Sequence, residues 1–147
     1  MIVFEKFIME NRMLAYEEKL RHNDMKVTPQ RLAIVKALEE HGHMTIEELY
    51  SIILKQFPSI SLATLYKNLN SMNDSNFTQE VKLPNQKSKF ELTKDEHSHL
   101  VCTSCGKVED YFIDTKNILK SAQTSNYKNL EVANLVFSGI CCGCQNA

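Results

Sequence analysis

A chain of 147 residues holds one ordinary core or two small ones, and no apolar run in it is long enough to cross a bilayer. Its 17 basic side chains are balanced by 18 acidic ones, so composition gives no electrostatic footprint for nucleic acid, and any such binding must come from local placement of charge. The 5 cysteines, in a sequence whose start lacks the basic-then-apolar pattern of an export signal, point to a reducing cytoplasm and to metal ligation rather than disulfides.

Taken in chain order, the opening residues are mildly apolar but interrupted by Glu5, Lys6 and Glu10. With Met9 and Met13 as alternative starts, residues 1–12 read as a dispensable extension. Residues 13–22 set Leu14, Ala15 and Leu20 among charges, which predicts an amphipathic helix. Thr28-Pro29-Gln30-Arg31 opens a second helix, with Thr28 as N-cap, Pro29 at the first helical position and an end near His41-Gly42. Thr45 and Glu48 form a capping box for a third, with Ile46, Leu49, Ile52 and Ile53 inward and Pro58 as its stop. Ser61 caps a fourth helix running to Leu69, with Leu62, Leu65 and Leu69 predicted inward.

After Asn73-Asp74-Ser75-Asn76 the period changes. Residues 77–83 and 88–92 are predicted strands around Pro84-Asn85-Gln86-Lys87, a hairpin carrying Lys82, Lys87 and Lys89. Helices followed by a basic hairpin are the order of a winged helix-turn-helix, expected over residues 1–92, with a polar hinge at 93–96. Residues 97–147 look like a small α/β domain: a hairpin from 100–102 and 108–112, a helix over 116–122, and a long apolar strand within 127–138. The expected class is therefore α+β.

Three constellations carry chemistry. Cys102-Thr-Ser-Cys105 and Cys141-Cys-Gly-Cys144 are two knuckles that together supply four thiolates, enough to close a tetrahedral structural zinc site without an open position; a reduced or redox-active thiol set is the other reading. Cys142 is left over. His97 and His99 share one face of a strand, and Asp110 follows, with His43 and Glu91 as further donors. Either they hold a second, more labile metal or they form a solvated histidine-rich loop. On the fourth helix, Ser61, Ala63, Thr64, Tyr66, Lys67 and Asn68 lie away from the leucines. This is either an ordinary solvent face or a reading head for DNA, with Arg31, Lys26 and Lys36 near the phosphates and Lys82 and Lys87 at the wing.

The order Thr28-Pro29-Gln30-Arg31, His43-Met44-Thr45, Ser61-Leu62-Ala63-Thr64-Leu65-Tyr66, Phe90-Glu91-Leu92, His97-Ser98-His99-Leu100-Val101-Cys102, Cys105-Gly106-Lys107-Val108 and Gly139-Ile140-Cys141 resembles the ferric uptake regulator family from about Lys26 to Cys144. The resemblance implies a homodimer on a double-stranded operator and makes the second half the dimerisation domain. It also implies structural Zn2+ on the four knuckle cysteines and regulatory Fe2+ or Mn2+ on His43, Glu91, His97, His99 and Asp110. Aspartate at 110 resembles the peroxide-responsive repressors of the family, in which oxidation of a ligand histidine (His43 or His97 here) releases DNA; iron-responsive regulators usually carry glutamate there. Glu91, where peroxide sensors often have aspartate, and Lys67, where arginine is usual, depart from that pattern. The expected function is a peroxide-sensing repressor and not an enzyme. The alternatives are an iron-responsive regulator, a peroxide-consuming metalloenzyme and a zinc-ribbon interaction module.

Overall fold

The computed structural model describes residues 2–123 and 126–146. They form two compact units, Met1–Val81 with Ser88–Thr93, and Lys82–Lys87 with Lys94–Ala147. Met1 lies outside the described residues; the rest of the expected extension is helical, as part of α1, which runs Ile2–His22 without a break. No glycine or proline interrupts that stretch, and its many Glu, Lys, Arg, Met and Leu residues favour helix without needing an apolar stripe. The face expected to be buried is also different. Leu14 is 57% exposed and Ala15 is exposed, whereas Leu20 is fully buried and Tyr16 packs edge-on against Phe77. The Tyr16 hydroxyl donates to Glu39, which also pairs with Arg12, so α1 is fastened along its second half.

The next three helices follow their local signals. α2 spans Pro29–His41, with the Thr28 hydroxyl accepting from Arg31 N and Gly42 ending the helix at φ 74°. α3 spans Ile46–Gln56 behind a complete Thr45–Glu48 capping box. α4 spans Leu62–Asp74 behind Ser61, five residues longer than expected, because Met72 continues the buried stripe begun by Leu65 and Leu69. Leu62 does not join them; in the first turn it faces out and is 40% exposed. These helices close over a core that includes Ile34, Leu38, Leu49, Ile53, Leu65 and Leu69.

A two-stranded antiparallel hairpin follows, β1 Thr78–Val81 and β2 Lys89–Leu92. It is shorter than the sequence pattern suggested, because the Phe77 amide turns back to close on Met72 O at the end of α4. An isolated antiparallel bridge ties Met44 to Phe90, adding a short third rung beside the hairpin. This is a winged helix-turn-helix. The wing loop, Lys82–Lys87, packs with the second unit: Asn134 Nδ2 donates to Lys82 O, and the Gln86 side chain lies against Gly106.

In the second unit a three-stranded sheet has the order β4-β3-β5, with β3 Ser98–Cys102 central. β4 Val108–Tyr111 pairs antiparallel with it, and β5 Val136–Gly139 pairs parallel after the crossover through α5 Lys116–Ala122. The long strand expected over 127–138 shrinks to those last four residues. Asn129, with φ 55°, breaks the extended run, and β3 is too short to pair with more. α5 buries none of its residues, and apart from Leu83 the apolar burial in this unit comes down to Val101 and Cys102 among the described residues. So thin a core needs another source of cohesion.

The opposite orientations of two leucines on α4 give a direct check. Leu65→Ala is expected to cost about 3 kcal/mol by opening a cavity in the core, whereas Leu62→Ala should change stability by about 0.5 kcal/mol or less. Urea unfolding with an unchanged m-value measures both.

Candidate metal centre

Cys102 ends β3, and the backbone then turns back on itself, with Gly106 N donating to Cys102 O and Cys102 N to Lys107 O. Gly106 takes φ 77°, which other residues rarely adopt, and this lets Cys105 swing back toward Cys102. On the other side β5 pairs Gly139 with Cys102, and Thr103 N donates to Gly139 O, so the chain leaves the sheet directly beside the first knuckle. Cys141 and Cys144 follow in a turn closed by Cys144 N on Cys141 O. The sulfurs of Cys102, Cys105, Cys141 and Cys144 lie within 4.8 Å of one another, and Cys105 Sγ is 3.8 Å from Cys141 Sγ. Zinc bonds of about 2.3 Å in a tetrahedron require sulfur separations near 3.8 Å, which this cage satisfies. Cys142 is exposed and outside it.

The amides of Cys141 and Cys105 point at Cys102 Sγ, at 3.3 and 3.5 Å, and hold that thiol down to about 6. Cys144 is pushed up to about 12: the Ser104 hydroxyl pulls it downward, but hydrogen bonding with Cys141 and Cys105 together with burial outweighs that pull. One sulfur is thus ready to carry negative charge, while another loses its proton to solvent only where a stronger positive partner displaces it. A divalent cation is such a partner.

A second group lies at the other end of β3. The β3–β4 register sets Asp110 opposite His99. His97 sits one residue before the strand, its Nδ1 fixed on Asp95 O at 2.8 Å so that Nε2 turns toward His99. The two Nε2 atoms are 3.1 Å apart, and Asp110 Oδ1 lies 3.4 Å from that of His97 and 3.7 Å from that of His99. Donors about 3 Å apart suit one metal with bonds near 2.1 Å. The other oxygen of Asp110 takes the Lys94 ammonium, and the Phe112 ring leans over His97 with centroids 5.8 Å apart.

In the first unit, the Met44–Phe90 bridge sets His43 beside Glu91, with Nε2 and Oε2 3.0 Å apart. Glu91 is 1% exposed; its Oε1 accepts from the Gln79 amide, its cross-strand partner, at 2.5 Å. Of the five residues marked as regulatory ligands, the second unit gathers His97, His99 and Asp110, and the first gathers His43 and Glu91. Lys94 and Gln79 were missed, since nothing in their spacing points to the carboxylates they contact.

The residues marked for DNA are placed unevenly. Ala63, Tyr66 and Lys67 are exposed along α4 and share an open groove with Asn70 and Asp74, neither of which was anticipated. Ser61 is exposed but engaged as the cap, bonded to Thr64. Asn68 is half-buried and donates to Thr64 O and Gln30 Oε1. Arg31 spends its guanidinium on Lys26 O and Ser71 Oγ, tying α2 to α4. Lys82 and Lys87 are exposed on the wing loop, as are Lys26 and Lys36 on the helical side.

Cys141→Ser should remove one equivalent of zinc and raise hydrogen exchange at the amides of β3 and β5, with the α2–α4 amides still protected. Unchanged protection in the second unit would show that the cage is not what holds it.

The family model for the ferric uptake regulator family matches residues 22–137. The peroxide-responsive repressor PerR of Staphylococcus saprophyticus is 33% identical over 129 residues, covering 86% of this chain and 87% of that protein. Among solved structures, the Campylobacter jejuni peroxide stress regulator is similar with a TM-score of 0.62 at 33% identity, covering 90% of this chain and 95% of that one. The Vibrio cholerae ferric uptake regulator matches with a TM-score of 0.64 at 32% identity, over 86% of this chain and 99% of that one. The chain belongs to the ferric uptake regulator family of metal-responsive transcriptional regulators, which are not enzymes.

Proposed function

We propose that the protein is a metal-dependent, DNA-binding repressor that senses peroxide through oxidation of its own ligand histidines. The observation that carries this reading is Asp110, set opposite His99 with one oxygen facing the Nε2 atoms of both His97 and His99. A shorter carboxylate at this position, in a chain a third identical to a peroxide-responsive repressor, favours that subtype.

In this reading His43, Glu91, His97, His99 and Asp110 hold one regulatory cation, and Cys102, Cys105, Cys141 and Cys144 hold structural zinc. Three imidazoles and two carboxylates suit ferrous or manganous ion and fall one short of an octahedral set. A ferrous ion bound there supplies the reducing power that cleaves the O–O bond of peroxide, which a manganous ion does not. The imidazole carbons flanking the converging nitrogens are the nearest oxidisable groups. Net, one peroxide oxygen ends on such a ring carbon and the other leaves as water. The oxidised ring is a poorer ligand, and the chain loses its cation.

DNA is read by the exposed face of α4, with Ala63, Thr64, Tyr66 and Lys67 toward the bases and Lys26, Lys36, Lys82 and Lys87 toward phosphates. Arg31 acts by positioning α4. A homodimer sets two such helices at half-sites about one helical turn apart or a multiple of it. The cation favours the arrangement that matches this spacing, so cation and DNA strengthen each other's binding reciprocally. The likeness to the Vibrio cholerae regulator supports a second reading, in which the same ligands report iron concentration alone.

Duplexes selected in vitro on manganese-loaded protein separate the two. With ferrous iron, brief peroxide exposure is expected to weaken binding at least about tenfold and to add one oxygen to His43 or His97 by peptide mass spectrometry, whereas the manganese form keeps its affinity. Iron-loaded protein that keeps both its DNA and its unmodified histidines would leave the iron-responsive reading.

A further inference from the structure

Lys94, Asp95 and Glu96, which lead into β3, are each fastened within the second unit. Lys94 Nζ donates to Asp110 Oδ2, Asp95 O holds His97 Nδ1, and the Thr115 hydroxyl donates to Glu96 Oε1 at 2.6 Å. Lys94 is therefore not a lysine wandering over the surface; its neighbours hold its backbone where the ammonium meets Asp110. The Lys94 side chain is 36% exposed and that of Asp110 25%. The two oxygens of Asp110 thus serve different partners: Oδ1 faces both imidazole nitrogens, and Oδ2 faces a fixed positive charge.

The geometry points to Lys94 as the residue that sets how tightly the His97–His99–Asp110 cluster holds a divalent cation, by keeping part of the Asp110 charge neutralised. This inference rests on the reading that these three residues are metal ligands. The physics is a competition for one carboxylate. An ion pair at this exposure adds little to stability, but its effect on an incoming dication is larger, because the repulsion scales with the ion's double charge and acts at contact range. A resident ammonium lowers the affinity of the cluster for a dication without removing a ligand. A regulator gains by this. Its site then fills and empties within the working range of free metal, while the four-sulfur cage keeps its zinc.

The test is a manganese titration of full-length, zinc-loaded protein, followed by electron paramagnetic resonance of the free ion, for the parent chain and for Lys94→Gln, Lys94→Arg and Asp110→Asn. Lys94→Gln is expected to bind manganese about tenfold more tightly, and Lys94→Arg, which keeps the charge, to stay within about twofold. A merely structural lysine gives the opposite sign, since losing it would loosen the site and weaken binding. Equal or weaker affinity in Lys94→Gln, with binding lost in Asp110→Asn, overturns the role of Lys94 alone. Asp110→Asn that titrates like the parent overturns the ligand reading beneath it.

Discussion

Strand β3 is the constraint on which the second unit turns. It is five residues long and central, paired on one side with β4 and on the other with β5. At its start the β4 pairing sets Asp110 across from His99; at its end the β5 pairing sets Gly139 across from Cys102 and so delivers Cys141 and Cys144 to the first knuckle. One short ladder therefore registers both donor clusters. A slip of one residue would turn His99 and Val101 to the opposite face and scatter both.

The two clusters differ in the chemistry they invite. Four sulfurs with backbone amides aimed at one of them form a closed cage, and a metal bound there would lend its binding energy to the folding of a unit with little apolar burial. The nitrogen and oxygen cluster is softer in its demands. The His97 ring is fixed by a hydrogen bond to the Asp95 carbonyl, and a lysine already leans on the Asp110 carboxylate. In the proposed reading, cohesion and responsiveness fall to separate ligand types at opposite ends of one strand. In the first unit the same economy holds: the bridge that closes the winged helix also sets His43 beside the buried Glu91.

Much of this was legible in the sequence wherever the cause is local. Thr28, Thr45 and Ser61 announce helix starts because a cap acts within one turn, and the knuckle spacing announces which thiols cluster because four residues suffice to build a turn. α5 was read to the residue. The failures share a different cause. The burial of Leu20 rather than Leu14 and the exposure of Leu62 depend on which helix lies opposite, and the late start of the strand expected over 127–138 depends on the length of its partner. The contacts of Lys94 with Asp110 and of Gln79 with Glu91 join residues that only the folded sheets make neighbours. The hydrogen bond from Arg31 to Ser71 Oγ likewise joins residues that only the folded helices make neighbours.

The central proposal is that His43 and Glu91 serve the same removable cation as His97, His99 and Asp110. Manganese stoichiometry in the zinc-loaded protein tests it most directly, compared across the parent chain, His43→Ala and His99→Ala. The account predicts one tightly bound manganese per chain, lost to a similar degree when either histidine is removed. If His43→Ala keeps the parent's stoichiometry and affinity while His99→Ala loses both, the second unit binds its metal alone and the account is wrong.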